Sequence, residues 1–164
     1  MDNTETRASI SPVRIGIAFL ALGTAGIHLY LFLIEGFLGN GEMLPIYQLL
    51  FVGNVFAYAT LAAALLLSPL ARVRSFVRVA LISIAVASIA SYFYVGVLDA
   101  VGNIDKAIEV LLILLVTVDA ATSGAEEEDL AGRFASGATG AAVQLVVGIA
   151  VGIVMFLILT PFMV

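Results

Sequence analysis

Between Val13 and Leu159, apolar residues come in long runs broken by single polar side chains, not in alternation with them. A helix needs roughly 17–25 predominantly apolar residues to cross ~30 Å of hydrocarbon. Four runs meet that length: 13–37, 46–67, 76–98 and 138–159. A fold in water could not hide them, because a domain this small still exposes about a third of its unfolded surface. Hydrophobic residues make up 62% of the 164 positions, well above the ~45–50% of a soluble domain. Lipid is the expected solvent and the cell membrane the expected location.

A further run, 104–121, is shorter and carries Asp105, Lys106, Glu109 and Asp119. As a helix it covers ~27 Å. That is enough to cross if Lys106 snorkels outward and the acids sit at the ends or face protein. A re-entrant segment is the alternative. The basic residues favour a crossing: with five spans, Arg7, Arg14, Arg72, Arg74, Arg78 and Arg133 fall on one side and only Lys106 on the other. By the positive-inside rule the first side is cytoplasmic. The expected fold class is all-α: a polytopic bundle of five transmembrane helices, amino terminus cytoplasmic, carboxyl terminus outside. Residues 1–12 form a polar tail, 13–164 a single transmembrane domain, and 122–137 an acidic cytoplasmic connector. The first run far exceeds the h-region of a signal peptide, and no small-residue cleavage site follows it.

Turn chemistry marks the links. Gly39-Asn40-Gly41 with Pro45 separates the first two spans, Ser68-Pro69 ends the second, and Gly102-Asn103 separates the third from the fourth. Ser123-Gly-Ala-Glu126 has the pattern of a capping box that would start a short interfacial helix.

Several chemistries are excluded. The chain has no cysteine and one histidine, which removes thiol nucleophiles, zinc–thiolate sites, iron–sulfur clusters and a dedicated histidine metal cluster. No lysine lies mid-span to form a Schiff base with retinal. No cofactor or metal is expected, and no enzymatic machinery is apparent. The formal net charge of −5 argues against nucleic acid, whose phosphates need a basic surface. The acidic tail and connector, almost without lysine, read as a halophile's solvated surface.

Polar groups in lipid are costly and face the bundle interior, so their placement locates any function. Thr24, His28, Leu31 and Glu35 share a face of the first span, Tyr47, Phe51, Asn54 and Tyr58 a face of the second, and Ser88, Tyr92, Val95 and Asp99 a face of the third. Asp105 and Glu109 stand one turn apart on the fourth, beside Lys106. Four helices thus bring polar groups to the outer half of the bilayer. The candidate pocket comprises His28, Glu35, Asn54, Tyr58, Ser88, Tyr92, Asp99 and Glu109, with His28 titrating against Glu35 or Glu109. Cross-helix hydrogen bonding alone is the plainer account of the same residues. In the fifth span Gly140, Gln144, Gly148 and Gly152 recur every four residues. Such a stripe allows close helix approach, either to the other spans or to a second copy.

Gly26-Ile27-His28-Leu29-Tyr30-Leu31 and Leu50-Phe51-Val52-Gly53-Asn54, joined by a Pro-containing link, resemble small multipass membrane proteins widespread in haloarchaea and actinobacteria. Those carry a G-x-x-H-L-Y-L stretch and then L-F-L-L-N; here the first is one residue tighter. The likeness covers residues 20–66 and implies that His28 and Asn54 belong together. It brings no activity with it.

Two roles follow as expectations. One is a structural or accessory membrane subunit in contact with lipid, in a homo-oligomer or a larger complex. The other is a small transporter or channel with its site around His28 and Glu109.

Overall fold

The computed structural model describes residues 11–39, 43–96, 98–123 and 137–163. Among them every regular element is helical. The order is α1 (Pro12–Leu31), a π-helical turn (Phe32–Phe37), α2 (Pro45–Leu66), a 3-10 turn (Ser68–Val73), α3 (Arg74–Val95), α4 (Ala100–Thr122), α5 (Gly137–Leu159) and a closing 3-10 turn (Thr160–Phe162). The all-α bundle is as the hydrophobic runs demand. Four helical stretches are long and apolar enough to cross a membrane: Pro12–Phe37, Pro45–Leu66, Ser68–Val95 and Gly137–Phe162. The amino-terminal tail, the centre of the α1–α2 link and the acidic connector lie outside the described residues, and the expected capping box falls there after Ser123.

Local chemistry sets the helix ends. Pro12 and Pro45 open α1 and α2, where a missing N–H costs nothing. Gly96 closes α3 with a left-handed φ of 75°, a conformation that favours glycine. Asp99 caps α4, its Oδ1 accepting from the Gly102 amide at 2.7 Å. This corrects the sequence-based boundary: Gly102-Asn103 is not the turn between the third and fourth spans but lies in the first turn of α4. The break comes earlier, at Gly96. Gly102 serves packing instead, since a Cβ there would fall 2.4 Å from the Tyr92 ring.

In the bundle α1 packs on α2 and α4, α3 on α4 and α5, and α4 also on α5. The core holds Ile17, Tyr58, Leu65, Leu81 and Leu112, and large apolar side chains cover the outside as well. Its buried positions include small and polar residues (Ala21, Thr24, Ala85, Gly148, Gly152), while Phe19, Leu49, Phe56 and Val146 are 66–77% exposed. That pattern suits a lipid solvent, where helices gain from close backbone approach. The stripe on α5 is used this way. Gly140, Gln144, Gly148 and Gly152 are all buried, and a Cβ at Gly152 would lie 2.6 Å from the Ser83 carbonyl oxygen of α3. Of the two uses open to the stripe, it packs inside the chain.

α4 is the exception in composition but not in placement. Its charged Asp105, Glu109 and Asp119 are buried, and its outward face is Ile104, Val110, Leu111, Leu114 and Val118. The end of the bundle carrying the α1–α2 and α3–α4 links is called the upper end below. The lower end carries the start of α1 and the α2–α3 link.

Candidate functional site

Near the upper end, α1, α2, α3 and α4 enclose a charged cluster. Asp105 and Glu109 stand one turn apart and so face the same way. Both are inaccessible to solvent, as are Thr24 and Tyr58. The Lys106 ammonium lies 2.8 Å from Asp105 Oδ2 and 2.8 Å from Glu109 Oε2, and donates to Ser88 Oγ on α3 at 2.6 Å. Tyr58 on α2 donates to Glu109 Oε1 at 2.9 Å. Thr24 on α1 donates to Asp105 Oδ1 at 2.5 Å. Each carboxylate oxygen therefore has a donor, which is what buried charge requires. Lys106 is surrounded by three oxygens, one for each N–H of an ammonium, and its Nζ lies 5.8 Å from the centre of the Tyr92 ring.

His28 lies against this cluster. Its Nδ1 is 2.9 Å from the Thr24 carbonyl oxygen and 3.8 Å from Asp105 Oδ1. A carbonyl only accepts, so Nδ1 carries a proton. The ring packs edge-on to Phe51 and tilted against Tyr58, with centroids 5.7 and 6.1 Å away. One donor atom each from His28, Asp105 and Glu109 lie within 4.8 Å of one another. The chain's one histidine thus joins a three-donor group, which the sequence-based exclusion of a histidine cluster did not foresee.

A cavity of about 330 Å³ reaches this cluster from the upper end. His28, Asp105 and Lys106 form its floor. Leu31, Leu50, Phe51, Ile84, Met155 and Leu159 form apolar walls, and the exposed Glu35 and Asp99 stand at its mouth.

The structure sorts the candidate residues. His28, Tyr58, Ser88 and Glu109 enter the hydrogen-bonded cluster, while Asn54 and Tyr92 line the cavity. Glu35 is exposed at the mouth and does not pair with His28; Asp105 is the nearer acid. Asp99 is engaged as a helix cap. Lys106 corrects the expectation of snorkelling: its side chain is 11% exposed and turns inward. Two carboxylates of α4 and the Ser88 hydroxyl of α3 hold it there.

A second buried cluster sits at the lower end, where the sequence placed Arg14 and Arg78 at the starts of two spans and Asp119 near the end of a third without joining them. Arg78 is fully buried. It donates to Asp119 Oδ2 from Nε at 2.9 Å and from Nη2 at 2.7 Å, and to Ser123 Oγ at 2.6 Å. Arg14 donates from Nε to Asp119 Oδ1 at 3.1 Å. Three helices, α1, α3 and α4, are joined through one carboxylate.

No protein-family model, curated protein or solved structure matches the chain.

Proposed function

We propose that the chain is a five-span protein of the cell membrane that admits a small solute from the outer side to the His28–Asp105–Lys106–Glu109 cluster, as a small transporter. The observation that carries this reading is the cavity of about 330 Å³ that ends on a buried charged cluster. Residues that only glued helices together would be closed over. Here the polar groups of four helices border open volume, the usual form of a solute site: apolar walls and a few convergent polar groups.

Two further observations support the membrane arrangement. The charged residues of α4 face protein and its outward residues are apolar, so α4 is compatible with lipid as a fifth crossing. Arg14, Arg72, Arg74 and Arg78 gather at the lower end, which the positive-inside rule assigns to the cytoplasm. The cavity then opens outward. His28 and Asn54 line it together, in keeping with the resemblance to the haloarchaeal and actinobacterial proteins. The accessory-subunit reading drew on the α5 stripe, and that stripe is buried against the chain's own α3.

The chain lacks cysteine, which makes the test clean. Ser91 lines the cavity. In sealed right-side-out vesicles, S91C should react with a membrane-impermeant methanethiosulfonate added outside. A cysteine at Ser68 should react only after permeabilisation. Failure of S91C to react, with the protein folded, removes the reading.

A further inference from the structure

We infer that the outer-half site is a receptor for a primary ammonium group carried on a small apolar body, and that Lys106 is its built-in occupant. The inference deepens the transporter reading and rests on it.

Its basis is the coordination of Lys106. A primary ammonium has three N–H donors and no acceptor. The structure surrounds this one with the Asp105 carboxylate, the Glu109 carboxylate and the Ser88 hydroxyl at 2.6–2.8 Å, and sets the Tyr92 ring within cation–π distance at 5.8 Å. That is a complete ammonium site, occupied by a side chain that also borders the cavity. Lys106 hangs on a flexible four-carbon stem with open volume beside it, so it has somewhere to go.

Electrostatics selects the replacement. With Lys106 swung toward the mouth, where Glu35 and Asp99 stand, Asp105 borders the cavity and Glu109 lies buried beside it, and buried charge left unpaired is strongly unfavourable. A neutral solute leaves them unpaired and an anion adds repulsion. A second ammonium restores the same contacts, so exchanging one for the other is nearly balanced. The remaining volume is at the low end of pockets for small organic ligands, ~300–1,000 Å³. Its walls, Leu31, Phe51, Met155 and Leu159 among them, suit a hydrocarbon or aromatic body. A divalent ion on His28, Asp105 and Glu109 is the competing occupant, since their donors lie within 4.8 Å. Such an ion would use neither the apolar walls nor the volume.

The test is calorimetric titration of the full chain in lipid nanodiscs, with empty nanodiscs as the blank. The probes are 2-phenylethylamine, its neutral isostere 2-phenylethanol, and MnCl2. The amine is expected to bind at least about tenfold more tightly than the alcohol, because hydrogen bonds to charged groups supply the difference. K106A, which removes the resident competitor, should tighten amine binding by about tenfold or more. E109Q should weaken it by a similar factor. If K106A does not fold, K106Q provides the same comparison.

Alcohol binding as tight as amine binding overturns the inference and leaves only an apolar cavity. Amine affinity unchanged or reduced in both Lys106 variants overturns the resident-competitor role. Binding of Mn2+ with no response to amine makes the site a metal site. If S91C reacts from outside while the amine stays silent, the ammonium inference falls alone; if S91C is inert as well, the transporter reading falls with it.

Discussion

The two buried ionic clusters share α1, α3 and α4, the upper adding α2 through Tyr58, and they lie about three to four turns apart along α4. At the lower end one carboxylate, Asp119, holds two guanidinium groups, and the partners come from different helices. At the upper end two carboxylates hold one ammonium, and all three groups lie on α4 itself. The lower cluster ties α1 and α3 to α4, whereas the upper one leaves that task to Thr24, Tyr58 and Ser88. Side-chain chemistry follows the division. Arginine's planar fork gives fixed, multidentate bonds, and lysine is a point charge on a flexible stem. The cavity reaches only the upper cluster among those described. Buried charge alone does not mark a site. Exchangeable charge beside open volume does.

The largest effect should come from breaking the lower cluster. D119A leaves Arg78 buried with the acceptor of its 2.9 and 2.7 Å bonds gone, and removes the Asp119 oxygen 3.1 Å from Arg14 Nε. Removing one member of a buried ion pair costs ~3–5 kcal/mol. We expect a large fall in unfolding temperature in detergent, with S91C labelling retained in whatever fraction folds. If D119A were no less stable than the native chain, the lower cluster would not be the structural one, and the contrast would fail.

Next in size is the seam between α3 and α5. G152A places a Cβ 2.6 Å from the Ser83 carbonyl oxygen and 2.7 Å from Val86 Cβ. Neither is a flexible chain end, so α3 and α5 must separate, at ~1–3 kcal/mol as for other overpacked cores. The same substitution at Gly26, where a Cβ meets nothing within 4 Å, should cause no comparable loss in thermal denaturation. Alanine is the better helix former, so an equal loss at Gly26 would mean that the α3–α5 seam is not what decides.

How much of this was legible beforehand differs between the two ends. Long apolar runs gave the helices, and four-residue spacing gave the face of each: His28 with Thr24, Glu109 with Asp105, the α5 glycines with Gln144. Spacing within one helix says nothing about which face of another it meets. The lower cluster therefore stayed hidden: Arg78 and Asp119 are far apart in sequence, and each taken alone resembled a residue at a membrane boundary. Lys106 was misplaced for a related reason. Snorkelling is the default for a lysine near a helix end, and only the convergence of Ser88 from α3 with the two acids of α4 outweighs it. Gly102-Asn103 was misread because Gly-Asn is common turn chemistry, while the residue that turns the chain is Gly96.

A smaller effect is expected at the upper end itself. D99A removes the side-chain acceptor for the Gly102 amide, and loss of such a cap costs about 1 kcal/mol. The change should appear as faster amide exchange confined to the first turn of α4. Exchange rising along the whole helix would show that α4 is anchored from the upper end and not through Asp119.

The smallest stability change should come from Glu35, and it separates the two roles of charge most sharply. Glu35 is exposed at the cavity mouth, so E35Q should leave unfolding within about 0.5 kcal/mol of the native chain, as for other surface substitutions. A carboxylate at the entrance of a cation site nevertheless raises the local concentration of cations and speeds their arrival, with a dependence on ionic strength. In stopped-flow binding of 2-phenylethylamine, E35Q should slow association at low salt and match the native rate at ~1 M salt, where screening reaches only ~3 Å, with dissociation unchanged. An association rate indifferent to both the substitution and the salt would mean that the solute does not enter past Glu35, and the mouth of the cavity would have to be sought elsewhere.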